Sequence, residues 1–276
     1  MFRSVSLILF LLTTSLHMQA QSSGQYAKIN GLNLYYETHG TGQPLVLLHG
    51  GGSTIYTTYG RILPQLAKHH QVIALELQAH GHTADIDRPL SFEQDADDVA
   101  ELLKHLNIAK ADIMGFSNGG TTALQLAIRH PQLVNKMVIA SSNFRRDGMP
   151  EGFFEMMKNA TLDGMPAPLQ DAFRKINPDS NALRVMFERD VARMLSFKDI
   201  PDSSIASINA PVLVINGDAD VVKTEHALLP SRTLPKAQLA ILPCGHGYYI
   251  GEICAHDPQS KLPLLVVEMI ERFLGE

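Results

Sequence analysis

The chain has 276 residues, enough for one sizeable core with an inserted subdomain. Hydrophobic residues make up 45% and charged ones 18%, which excludes an intrinsically disordered chain. The formal net charge is −5, and no basic run is longer than the Arg145-Arg146 pair, so nucleic-acid binding has no electrostatic footing.

The elements follow in chain order. Residues 1–20 carry a cation at Arg3, an apolar run from Leu7 to Leu12, and small or polar residues up to Ala20. This predicts a cleavable secretory signal cut between Ala20 and Gln21. The run is too short for a stable membrane anchor, and no cysteine follows it to take a lipid. The expected product is exported, periplasmic or extracellular. Residues 26–40 form two alternating runs about Asn30-Gly31, a strong hairpin signal. Continuous apolar runs at 44–52, 71–77, 111–116, 136–142, 211–217 and 237–243 suit strands buried on both faces. Helical patterns lie between them, as at Phe92 to Leu106 and at Thr121 to His130 before Pro131. Strands alternating with helices predict a mostly parallel sheet with helices on both faces.

Residues 144–205 break the rhythm, with helical patterns, no strand and six of the eleven methionines. The expected organisation is a signal over 1–20, a core of 21–143 and 206–276, and a helical lid over 144–205. Met156, Met157, Phe153, Phe154, Met186 and Phe187 are expected to pack the lid's interior. His69 and His70 read as solvated surface. Cys244 and Cys254 are the two cysteines, and export permits a disulfide between them. No metal-ligand spacing occurs, so no metal is expected.

The chemistry centres on "GFSNGG", residues 115–120. Ser117 follows a buried strand and precedes a helix, flanked by Gly115 and Gly119 at Gly-x-Ser-x-Gly spacing. Such a turn strains the backbone, aims the hydroxyl outward, and points the helix N–H groups at any anion formed there. A serine nucleophile needs a base held in one tautomer. The loop after 211–217 supplies Asp218 and Asp220, and "PCGHGYY" supplies His246. "LLHGGGST" (47–54) offers a backbone donor from Gly51 or Gly52, and the Asn118 N–H offers another, as an oxyanion hole requires.

With "VLLHGGG", "GFSNGG", "VLVINGDAD", the Gly245-His246 pair and "HGHT" (80–83) in this order, the chain resembles the α/β-hydrolases, close to the lid-bearing serine esterase and lactonase-like branch. The resemblance implies Asp220, not Asp218, as the third triad member, and Gly51, not Gly52, as second oxyanion donor. His49, His80 and His82 are then loop braces. It implies an esterase or lactonase that needs no cofactor and acts on a small molecule. A prolyl aminopeptidase, a carbon–carbon bond hydrolase, a cofactor-free haloperoxidase or a slow-turnover receptor stand as alternatives. The aminopeptidase would need lid acids such as Glu151, Glu155 or Asp163. The sequence departs from the family's usual pattern at Glu76, Ala79 and Asn118, and after His246.

Overall fold

The computed structural model describes residues 24–255 and 257–275. The signal expected over residues 1–20 lies outside them. Strands β1 (Gln25–Ile29) and β2 (Leu32–His39) form the antiparallel entry hairpin. Asn30 and Gly31 both take positive φ, as its two-residue turn demands. Then come β3 (Gln43–Leu48), the short helices α1 (Ile55–Tyr59) and α2 (Leu63–Leu66), β4 (His70–Leu75) and α3 (Phe92–His105). Strand β5 (Ala111–Phe116) leads into α4 (Asn118–Arg129), and β6 (Val134–Ala140) follows. After β6 the chain forms α5 (Phe153–Lys158), α6 (Ala167–Ile176), α7 (Ser180–Ser196) and α8 (Asp202–Ala206). It returns to the sheet with β7 (Val212–Ala219), α9 (Thr224–Thr233), β8 (Ala237–Gly245) and α10 (Leu262–Leu274).

The eight strands lie in the order β1-β2-β4-β3-β5-β6-β7-β8, antiparallel at β1/β2 and β2/β4 and parallel from β4 onward. Because side chains alternate across a strand, each apolar run feeds two cores. Val46, Leu48, Ile113, Ile139 and Val214 pack on one face with α3 and α4. Leu45, Leu47, Met114, Val138 and Leu213 pack on the other with α1, α2 and α10. This three-layer arrangement is an α/β-hydrolase fold, and it sets the carboxyl ends of β3, β5, β6, β7 and β8 along one edge.

One expectation is corrected, and one question the sequence left open is answered. His70 is buried, not solvated, because it opens β4 beneath α10 and its Nε2 lies 2.7 Å from Glu271 Oε2. Cys244 and Cys254 are both free thiols, packed against different clusters. Among the described residues no helix is long and apolar enough to cross a membrane.

Candidate active site

Strand β5 is buried along its whole length, and the helix after it lies unusually close to the sheet. A Cβ at Gly119 would sit 2.1 Å from the Leu48 carbonyl oxygen, and one at Gly115 would sit 2.2 Å from that of Gly119. Glycine at both positions lets the chain turn sharply from β5 into α4. Ser117 sits in that turn with φ 53° and ψ −121°, a conformation an L side chain rarely takes. It lines a cavity of about 600 Å³ beneath the helices that follow β6.

The loops after β7 and β8 bring Asp220 and His246 together. His246 Nδ1 lies 2.7 Å from Asp220 Oδ1. The carboxylate accepts, so Nδ1 carries the proton and Nε2 is left with its lone pair for base chemistry. Asp220 is held firmly. Its Oδ1 also accepts from the Val222 N–H at 3.0 Å, and its Oδ2 accepts from Ser141 Oγ at 2.5 Å. The Ser141 proton is committed there, so the Tyr249 hydroxyl, 2.6 Å away, donates to Ser141. Burial favours the neutral acid, but the His246 hydrogen bond and charge hold the Asp220 carboxyl below its ordinary range. Asp218 is exposed and has no part in this network.

Ser117 Oγ and His246 share no hydrogen bond in this structure. They are neighbours through Phe116, which precedes the serine and whose ring centroid lies 4.7 Å from that of His246. Catalytic hydrogen bonds of this type tighten when substrate arrives.

The sequence offers two N–H donors for the oxyanion, at Asn118 and on the loop after β3. Asn118 is the first residue of α4, so its N–H has no acceptor within the helix. On the loop after β3, the Gly52 N–H is already spent on Asp190 Oδ2 at 2.5 Å. Gly51 is the other candidate on this loop. Its Cα approaches Asn118 so closely that a Cβ would lie 2.5 Å from Asn118 Nδ2.

Of the residues expected inside the insertion, Met186, Phe187, Met157, Phe153 and Phe154 pack in its apolar clusters, while Met156 is exposed; the methionines also border the cavity. All six, Met149, Met156, Met157, Met165, Met186 and Met194, line the cavity, as do Phe153 and Phe187, while Phe154 does not. Helices α5 and α6 pack against the long α7, and apolar side chains of the insertion border the cavity. Glu151, Glu155 and Asp163 are exposed and do not line it. Asp190 is the one charged side chain among the described lining residues.

Sequence reasoning missed Ser141, Tyr249 and Asp190. Ser141 has φ 48° at the end of β6, beside the β7 loop. Its only sequence signal is a serine pair closing an apolar run. The loop histidines brace the site's edge. His49 Nδ1 donates to the Gly50 carbonyl at 2.8 Å, while its Nε2 accepts the Leu77 N–H at 3.1 Å. Burial and the neighbouring His80 keep His49 neutral, down to about 3. His82 Nδ1 lies 2.8 Å from Glu76 Oε2 and its ring stacks on Tyr35.

A family model described as the alpha/beta hydrolase fold matches residues 43–175. The human serine hydrolase BPHL is 29% identical over 79% of this chain and 77% of its own. A 2-hydroxy-6-oxo-6-(2'-aminophenyl)hexa-2,4-dienoic acid hydrolase of Metapseudomonas resinovorans is 28% identical over 80% of this chain and 84% of its own. Among solved structures, Est816, an N-acyl homoserine lactone degrading enzyme, superposes with a TM-score of 0.70 at 25% identity, covering 90% of this chain and 99% of its own.

Proposed function

The chain belongs to the α/β-hydrolase superfamily and is a hydrolase, and from that premise we propose that it cleaves an ester or lactone bond of a small, partly apolar substrate through an acyl-enzyme on Ser117. The observation that carries this reading is the 2.7 Å His246–Asp220 pair set beside a strained serine at a helix N-terminus. His246 Nε2 takes the Ser117 proton as the hydroxyl attacks the carbonyl. Asp220 holds the ring in one tautomer and stabilises its cation. The Gly51 and Asn118 N–H groups receive the oxyanion, aided by the positive end of α4. The imidazolium then protonates the leaving alcohol, and water, activated by the same nitrogen, releases the acid.

The lining favours an uncharged substrate over a dienoic acid of the kind the Metapseudomonas relative's name describes. No Lys or Arg lines the cavity among the described residues, so away from His246 a substrate carboxylate would find no fixed cation there. Thioether side chains suit apolar groups of varied shape. The reading includes export: recovery of a chain starting at Gln21 from a periplasmic or culture fraction is the expected outcome of N-terminal sequencing.

Hydrolysis of p-nitrophenyl esters from acetate to octanoate tests the reading. The mature chain is expected to turn over the shorter members, and Ser117→Ala to lose at least about 10³-fold in kcat. A folded wild-type chain with no turnover on any ester or acyl lactone overturns it.

A further inference from the structure

We infer that Asp190, on α7 of the insertion, is a positioning residue for the oxyanion-binding loop, held in that role by a charged His80; the inference rests on the serine-hydrolase reading above. Asp190 stands 138 residues from Gly52, yet both its oxygens are committed beside the nucleophile. Oδ2 accepts the Gly52 N–H at 2.5 Å and faces His80 Nε2 at 3.0 Å. Oδ1 accepts from the Arg193 guanidinium.

The protonation of His80 follows from its partners. Its Nδ1 faces the Gln78 carbonyl oxygen at 2.8 Å, and its Nε2 faces the Asp190 carboxylate. Neither can donate, so the ring that satisfies both carries two protons. His80 is fully buried. Burial works against the charge, but the Asp190 carboxylate beside it raises the imidazole above its ordinary value. The other titratable or charged groups facing this cluster are His49, whose ring centroid is 4.8 Å away, Arg193, and Asp95, which pairs with Arg193 Nη1 at 2.6 Å. Desolvation lifts Asp95 to about 6 despite that guanidinium.

This cluster pins two consecutive peptide planes. In a trans peptide the carbonyl oxygen and the following N–H point in opposite directions. His49 Nδ1 and the Ser53 N–H hold the Gly50 oxygen at 2.8 and 3.3 Å, so the Gly51 N–H is turned away from them. Asp190 holds the next N–H, that of Gly52, and so fixes the second plane. Gly51 is left as the loop's donor toward the oxyanion, with its orientation set from both sides. An aminopeptidase-type role for Asp190 would require a carboxylate free to bind an ammonium group. Here it is saturated by three donors.

The test compares Asp190→Ala and Asp190→Asn with wild type on p-nitrophenyl butyrate, on binding of a trifluoromethyl ketone with the same acyl chain, and on the amide proton resonance of Gly52. Alanine is expected to lower kcat about 10–100-fold with KM within about threefold, and to weaken the ketone, whose adduct carries the oxyanion, by a similar factor. Asparagine keeps an oxygen for Gly52 and is expected to recover part of the loss. It also carries the test should the alanine variant fail to fold. In wild type the Gly52 amide proton should resonate far downfield and move upfield in the variants. Unchanged kcat and ketone affinity, a loss confined to KM, or an unmoved Gly52 resonance overturns the inference. If wild type hydrolyses no ester, the serine-hydrolase reading fails, and the Gly52 resonance still decides the Asp190 contact.

Discussion

Asp218 and Asp220 differ by two positions, a spacing that in a straight strand would place both carboxylates on one face. The pairing of β7 with β8 shifts register between Gly217 and Ala219, and this separates them: Asp218 turns to solvent while the Asp220 side chain is wholly buried. Asp220→Asn is therefore expected to lower kcat about 10⁴-fold with little change in KM, because the amide no longer fixes the His246 tautomer. Asp218→Asn should stay within about twofold of wild type. Steady-state kinetics of the two variants side by side check this. Residues alone left the two acids open, since an irregularity of pairing is invisible in one strand's sequence. Ser117 and His246 were legible because each stands among glycines at the end of an apolar run. Ser141 and Asp190 were not, since a serine closing a strand and an aspartate in an amphipathic helix are both commonplace.

At the scale of elements, the apolar runs located the strands well, with boundaries the main difference. Strand β7 runs to Ala219 and β8 to Gly245, each past its apolar run, because they pair with each other beyond it. The inserted helices were legible as helices. Of their methionines, Met157 and Met186 pack the interior as expected and also wall the cavity, a second role the 3.6-residue pattern could not show because it marks an apolar face without telling all that it covers. Helix α9 shows how the insertion's first turn is seated. His226 accepts the Phe144 N–H at 3.1 Å through Nε2, and its ring lies where a side chain at Gly148 would fall. Burial lowers His226 to about 4, although Asp147 lies 4.0 Å from Nδ1. The unfolded chain takes up this proton below about 6.5 and the folded one only below about 4, so the contribution is whole above 6.5 and is lost as pH falls through that window. Melting temperatures measured from pH 7.5 to 4.5 should fall less steeply for His226→Gln than for wild type, by a few degrees across the window.

For the whole molecule, a sheet whose central parallel strands β3 to β7 are largely buried on both faces explains why so much of the architecture could be read from the chain: those strands had to be mostly apolar. The cavity could not, since it arises where separate helices meet the sheet edge. Ser117, the proposed nucleophile, and Ser141, which holds Asp220, both take positive φ at the ends of neighbouring strands. Each conformation costs about 1–3 kcal/mol for a residue with a side chain and almost nothing for glycine. The fold thus gives up stability at the proposed nucleophile. Ser117→Gly should give a protein that melts a few degrees higher than the parent and hydrolyses nothing, a difference calorimetry would register directly. Selection for robustness alone would have removed this serine. On the proposed reading, its presence records a molecule kept below its own stability optimum by the demands of turnover.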